Sequence, residues 1–304
     1  MRPCVPLEAR RAACPAGRKG CPARHGGYVG GSPTRGEAPI LDRTGAHAEN
    51  QHVIRFPRES SRELQQNQSF FFLIEDGEDK RIKFHDYAAI YDRPGLYEQL
   101  FYERLRCTSP QVVVSRLAGA VRHAGEMVEP LRVLDLGAGN GIVSDELKEY
   151  GVARTVGLDI IDSARSAALR DRPAGYDEYI VADMTAPDAA TRGTLAEWKL
   201  DALTCVAALG FDDIPAAAFV TAMESIADDG WLAFNIKTDF LRMAQQGGFA
   251  ALVKALIDRD LVELHLLERY RHRLSIDGEW LEYFVLVAKK RGPLPRDVVE
   301  RFAA

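Results

Sequence analysis

From about residue 130 the chain alternates short apolar runs with longer stretches whose apolar residues recur every three to four positions. Val133 and Leu134 form one such run, read as a buried strand with Asp135 at its end, and Ile142, Val143, Glu146 and Leu147 follow at helical spacing. The run recurs at 155–159 and at 179–183, so that Asp135, Asp159 and Asp183 stand 24 residues apart, one strand–helix unit per step. A fourth strand is read at 200–209 and a helix at 216–227. Asp228-Asp229-Gly230 then turns the chain into a fifth strand, 231–237. Strands alternating with helices predict a doubly wound parallel sheet, with ligands at the carboxyl ends of the strands. A helix over 249–259 leads to two long strands, 261–273 and 279–289. They are joined through Ser275-Ile276-Asp277-Gly278, where Asp-Gly is a strong hairpin signal.

Ahead of this alternation lies a different arrangement. Phe70-Phe71-Phe72-Leu73-Ile74 is followed by an acidic, glycine-containing turn and by Arg81-Ile82-Lys83-Phe84, which predicts a small β-hairpin. Apolar residues at helical spacing continue from residue 84 to 102, interrupted by Pro94-Gly95, and a further helix is expected over 110–125 with Ser109 as its N-cap.

The first fifty residues are of another kind. They hold six Pro and eight Gly, and their eight Lys or Arg against four Asp or Glu give +4, leaving −9 on the rest of a chain whose net charge is −5. That composition, without an apolar core of a signal peptide, predicts an unstructured extension or a start codon assigned too far upstream. Cys4, Cys14, Cys21 and His25 do not match metal-binding spacing, and no metal site is expected. Only Cys107 and Cys205 fall in the part expected to fold, which suits a reducing, cytoplasmic compartment. No apolar run is long enough to predict a membrane helix. The acidic balance speaks against a broad nucleic-acid surface.

The chemistry concentrates at Asp135-Leu136-Gly137-Ala138-Gly139-Asn140-Gly141. Glycines let the backbone approach a ligand, and free N–H groups at a helix start favour an anionic or electron-rich group. The third glycine comes four residues after the first, not the five of the dinucleotide fingerprint, and an acid lies two before the first. D-x-G-x-G-x-G closing an apolar strand resembles motif I of the class I S-adenosylmethionine-dependent methyltransferases, and the likeness covers about residues 84 to 291.

The resemblance implies a seven-stranded sheet of order 3-2-1-4-5-7-6 whose last hairpin is antiparallel, with an N-terminal helical lid beside the small β-hairpin. It divides the chain into 1–50, a hairpin and lid at 51–126, a cofactor-binding core at 127–291 and a tail at 292–304. The cofactor would be S-adenosylmethionine, held by Asp135, Gly137, Ala138, Gly139 and Gly141, by Asp159 on the ribose with Ile160 beside it, and by Asp183 and Met184 on the adenine. The ends of the fourth and fifth strands would face the transferred methyl, with Ala207, Ala208, Phe211 and Asp212 on the floor and Asn235 and Lys237 at the rim. Tyr87 and Tyr91 are lid candidates for the substrate pocket, whereas Tyr97, Phe101 and Tyr102 are read as packing residues. His85, Asp86 and Asp212 are the side chains to consider as base or orienter.

Several specialised classes lack their residues. No Asn/Asp-Pro-Pro-Tyr/Phe follows the fourth strand, Cys205 has no proline before it, and Asn235 has no adjacent Asp for a magnesium site. The expectation is methyl transfer to oxygen or nitrogen of a small molecule, with no nucleic-acid or membrane partner. The rivals are a protein or RNA methyltransferase and a catalytically silent, partner-binding protein on the same fold. Nothing in the sequence sets the oligomeric state.

Overall fold

The computed structural model describes residues 51–57, 68–209, 214–238 and 248–302. The extension expected at 1–50 and the candidates Phe211 and Asp212 lie outside the described residues.

The N-terminal layer is a three-stranded antiparallel sheet, β1 (Val53–Arg55), β2 (Phe70–Glu75) and β3 (Glu78–Lys83). The hairpin between β2 and β3 turns on Asp76 and Gly77, both with positive φ (55° and 81°), the pair of left-handed residues a two-residue turn of this hand requires. Alternation along β2 sets its faces: Phe71 and Leu73 are buried, while Phe70 and Phe72 lie under the guanidinium groups of Arg81 and Arg55. Two short helices, α1 (Tyr87–Tyr91) and α2 (Leu96–Glu98), follow, and α2 runs on into a π-helical turn, Gln99–Arg104. Ile90, Leu96, Leu100 and Phe101 close one cluster with the inner face of this sheet, and Leu274 and Ile276 from the far hairpin pack against it.

The larger sheet contains β4 (Arg132–Leu136), β5 (Arg154–Asp159), β6 (Glu178–Val181), β7 (Ala202–Cys205), β8 (Trp231–Lys237), β9 (Val262–Leu274) and β10 (Trp280–Lys290). Its order is β6-β5-β4-β7-β8-β10-β9, with β10 antiparallel to both β8 and β9. In units of its own strands this is 3-2-1-4-5-7-6, the expected order. Helices cover both faces. α3 (Ser109–His123) and α4 (Ile142–Glu149) bury Val113, Leu117, Val143 and Leu147 on one side. On the other, α6 (Ala189–Trp198), α7 (Ala216–Glu224), α8 (Gly248–Asp258) and α9 (Arg296–Phe302) build the largest cluster around Phe219, Phe234 and Leu252. α5 (Asp162–Asp171) packs against α1.

Four local expectations are corrected. The fourth strand is shorter than read, because the chain leaves the sheet after Cys205. Asp135 lies inside β4 and β6 stops at Val181, so neither Asp135 nor Asp183 ends its strand. Ser109 is the first residue of α3, not its cap. Thr108 holds the N-cap position, but its hydroxyl donates to the Arg271 carbonyl on β9 at 2.8 Å and does not cap the helix, and the Ser109 hydroxyl turns inward. The expected tail contains α9, whose Val298 and Phe302 are buried against the α7–α8 side of the core.

Burial of Phe302 makes the last turn part of the fold. Phe302→Ala should cost about 3 kcal/mol, read as a lower urea midpoint at unchanged m-value. An unchanged midpoint would show that α9 contributes no stability.

Candidate functional site

Between β4 and β5 the chain makes the turn on which the site is built. Gly137, Gly139 and Gly141 all have positive φ (75°, 52° and 87°), which only glycine adopts readily at three such closely spaced positions. Two of them are also in close quarters. A Cβ on Gly137 would lie 2.9 Å from Ala208 Cβ, and one on Gly139 would lie 2.5 Å from the Tyr91 hydroxyl. The glycines thus shape the turn and admit its neighbours.

Asp159 ties that turn to the end of β5. Its carboxylate accepts the Gly139 N–H at 2.9 Å and the Ile161 N–H at 3.0 Å, and only 9% of the residue is exposed. Burial raises its pKa against the opposing pull of these backbone bonds.

A cavity of about 340 Å³ opens beside the turn. Gly137, Leu158, Asp159, Ile160, Ala182, Asp183 and Met184 line one part of it, while His85, Tyr87, Tyr91 and Tyr97 come from the N-terminal layer. Val206, Ala207, Ala208, Ile214, Pro215 and Ala218 also line it. Ile160 is 60% exposed, a large apolar side chain left facing solvent at the mouth. Asp183, on the same part of the wall, is exposed as well. Its carboxylate accepts the Thr185 hydroxyl and N–H, which hold its pKa down.

The sequence-derived candidates separate. Tyr87, Tyr91, His85, Gly137, Asp159, Ile160, Asp183 and Met184 meet at the cavity. Ala138, Gly139 and Gly141 shape the turn from behind its wall. Asp86 is turned away: its carboxylate caps α1 by accepting the Ala89 N–H at 3.3 Å. Asn235 is fully buried beneath the floor, accepting the Ala207 N–H at 2.7 Å, and it does not reach the cavity surface. Its position follows from β8, where Trp231, Ala233 and Asn235 face α3 while Leu232, Phe234 and Ile236 face the opposite core.

Asp135 has a structural setting of its own. It is 1% exposed and accepts the Tyr176 hydroxyl at 2.6 Å and the Thr204 hydroxyl at 2.7 Å. Gly157, directly opposite on β5, makes this reach feasible, since a Cβ there would meet the Tyr176 ring at 2.9 Å. Burial pushes the carboxyl up to about 7 although both hydroxyl bonds pull the other way.

Sequence reasoning found two of the tyrosines that make the wall, Tyr87 and Tyr91, and missed the third. Tyr97, read as packing, lines the cavity, with its ring 5.1 Å from that of Tyr91, which lies 6.1 Å from Tyr87. The Tyr179 hydroxyl donates to the Gly139 carbonyl at 2.8 Å. A glycine inside β5 was the available signal, because an isolated strand glycine often marks a close ring or backbone approach. Burial raises the phenols of Tyr91, Tyr97, Tyr176 and Tyr179, so all four are neutral donors or walls and none is a base near neutral pH.

Arg172 fastens the N-terminal layer to the turn. Its guanidinium pairs with Glu98 at 2.7 Å and Asp145 at 2.6 Å and donates to the Asn140 carbonyl at 3.1 Å. Asn140 itself donates to Glu98, while its Oδ1 is buried with no hydrogen-bond partner among the described residues.

A family model described as a methyltransferase domain matches residues 106–283. No curated protein matches the chain significantly. Among solved structures, an S-adenosylmethionine-dependent methyltransferase from Anabaena variabilis is 16% identical, with 67% of this chain and 93% of that one covered at a TM-score of 0.45. Magnesium protoporphyrin IX methyltransferase from Synechocystis, solved with bound S-adenosylmethionine, is 17% identical, with 60% and 79% covered at 0.41. An N-methyltransferase from Bradyrhizobium japonicum in complex with S-adenosylhomocysteine is 14% identical, with 58% and 86% covered at 0.40.

The protonation of Asp135 is open to a direct test. A folded-state pKa near 7, above an unfolded value of about 4, means the native state holds this proton longer. The contribution to stability is complete below pH ~4 and lost as pH rises through ~7. Asp135→Asn should therefore gain roughly 2–4 kcal/mol relative to wild type between pH ~4 and ~8, measured by urea unfolding. A difference that does not change with pH would mean that Asp135 is ionised throughout.

Proposed function

The chain belongs to the methyltransferase-domain family that matches it over residues 106–283, and from that membership we propose that it transfers a methyl group from S-adenosylmethionine to oxygen or nitrogen of a small molecule. The observation that carries the reading is the cavity joining the glycine turn to Asp159, Asp183 and Met184 on one side and to His85 and the tyrosines on the other.

The residues fit the cofactor. A Cβ on Gly137 or Gly139 would push back Ala208, Ile214 or Tyr91, which stand against the turn, and Asp159, at the end of β5 and on the cavity wall, would accept hydrogen bonds from the two ribose hydroxyls. Exposed Ile160 and buried Met184 offer apolar surfaces for the purine, and Asp183 an acceptor for its amino group. The tyrosine-walled side then receives the acceptor, whose size the enclosure by α1 and α2 limits. This enclosure favours a small molecule over a folded protein or a nucleic acid.

When bound, S-adenosylmethionine supplies an electrophilic methyl on a sulfonium. The protein has to align the acceptor's lone pair with that carbon, keep water away and take up a proton where the acceptor loses one. Tyr87, Tyr91, Val206 and Ala208 exclude water and orient. His85 is the imidazole on the wall, and in this reading it takes up the proton. Asp86 is committed to its cap.

Thermal unfolding of the full chain with S-adenosylhomocysteine tests the reading. Ligand at ~100 times its dissociation constant adds about 2.7 kcal/mol, a rise of roughly 5–10 °C for a domain of this size. Asp183→Ala, which removes an exposed side chain bonded only locally, should melt like wild type alone and lose about tenfold in affinity. No rise with wild type, in a cooperatively melting protein, would sink the cofactor assignment. An unchanged affinity in Asp183→Ala would remove that residue from the site.

A further inference from the structure

Ala207 lines the cavity two residues after β7, yet its φ is +56°, a left-handed backbone that a residue with a Cβ rarely adopts. Such a conformation persists only where its surroundings hold it. Here the Ala207 N–H donates to Asn235 Oδ1 at 2.7 Å. The same amide of Asn235 donates through Nδ2 to the Tyr270 hydroxyl at 2.7 Å and to Ser109 Oγ at 3.3 Å. Tyr270 and Ser109 are 2.7 Å apart, and Ser109 lies 2.6 Å from His272 Nδ1.

The directions of these bonds follow from donor counting. Asn235 occupies the Tyr270 oxygen as a donor, so Tyr270 is free to donate to Ser109, and Ser109 to His272 Nδ1. Burial pushes His272 well below its ordinary pKa, so its ring is neutral, and in the tautomer with the hydrogen on Nε2 its Nδ1, which Cys107 Sγ also approaches at 3.9 Å, accepts from Ser109. Every hydroxyl hydrogen then has one acceptor, and Asn235 cannot rotate without breaking the chain. Asn235 and Ser109 are fully buried and His272 nearly so, and they come from three different elements: β8, α3 and β9.

The held segment touches the glycine turn. Ala208, the next residue, packs so closely that a Cβ on Gly137 would come within 2.9 Å of its own. We infer that Asn235, braced by Tyr270 and Ser109, is a positioning residue that keeps Ala207 left-handed and thereby sets the cavity floor against the glycine turn. The inference rests on the cofactor reading above. Asn235 acts through the backbone of Ala207 and touches no ligand.

The test uses the fact that glycine adopts a positive φ unaided. If Asn235 acts by holding that backbone, its loss matters less once Ala207 is glycine. Affinity for S-adenosylhomocysteine would be measured by calorimetry on the full chain, with melting temperature followed in parallel. Asn235→Leu should weaken binding at least tenfold on the wild-type background, and by no more than threefold on the Ala207→Gly background. Equal losses on both backgrounds would reduce Asn235 to core packing and overturn the inference, as would no loss on either.

Should Asn235→Leu fail to fold, Tyr270→Phe, which removes only the bracing hydroxyl, is compared on the same two backgrounds. A loss confined to the Ala207 background supports the inference, and an equal loss overturns it. A wild type that binds no S-adenosylhomocysteine would sink the cofactor reading, and amide exchange then decides this one. Exchange at Ala207 should rise at least tenfold in the Asn235 or Tyr270 variant while the β7 amides keep their protection. Unchanged exchange at Ala207 would overturn the proposal.

Discussion

The bond from the Gly139 N–H to the Asp159 carboxylate joins the two loops on which the rest of the site depends. Parallel pairing of β4 with β5 brings their carboxyl ends side by side, but it does not orient the backbone that follows. Asp159 does so by accepting the turn's N–H with one oxygen and the Ile161 N–H, at the approach to α5, with the other. Charge-assisted bonds to backbone N–H groups are stronger than neutral ones and are short enough to fix geometry. The three left-handed glycines, the exposed Ile160 and the Tyr91 ring above Gly139 all take their places relative to this clamp.

Around the clamp the side chains divide into those that face the cavity and those that hold the facing ones. Asp135 is of the second kind, accepting the hydroxyls of Tyr176 and of Thr204 on the neighbouring strand β7, and so is Arg172. The Arg172 guanidinium is largely buried between Glu98 and Asp145. Buried ion pairs of this sort add little net stability, because desolvation offsets most of the attraction. Arg172 bonds across three segments at once, which fixes where the N-terminal layer sits on the turn. Arg170 reinforces the placement by donating to the Tyr91 carbonyl at 3.1 Å.

The fold was legible because its signals are local and repeated. The 24-residue spacing of the aspartates, the Asp-Gly turns and the glycine turn each fix a short stretch of backbone and give the alternation of strand and helix, while the sheet order was what the resemblance to class I methyltransferases implied and is the one observed. The site was half legible. Asp159, Asp183, Met184, Tyr87 and His85 reach the cavity because the ends of strands and the start of α1 must point there. Asn235 was placed at the rim because β8 is apolar on both faces, and a strand buried on both sides shows no alternation from which to read a direction. Tyr97, Tyr176 and Tyr179 were missed for a related reason. Aromatics contribute the same hydrophobicity whether they fill a core or wall a cavity, and only the turn and Gly157 decide which. The three-residue β1 and the seven-residue α9 are too short for any periodicity to show.

The position of β10 between β8 and β9 bears on how the chain matures as it leaves the ribosome. Among the described residues β9 is an edge strand whose one ladder partner is β10, and β10 also covers the open side of β8. Both therefore wait for residues 280–290, and α9 closes the α7–α8 face later still. The glycine turn and its Asp159 clamp are synthesised more than a hundred residues earlier. During vectorial synthesis the nascent protein thus carries its glycine turn well before the sheet that stabilises it is complete. Through that interval β8 presents an unpaired apolar edge, the kind of surface that chaperones shield.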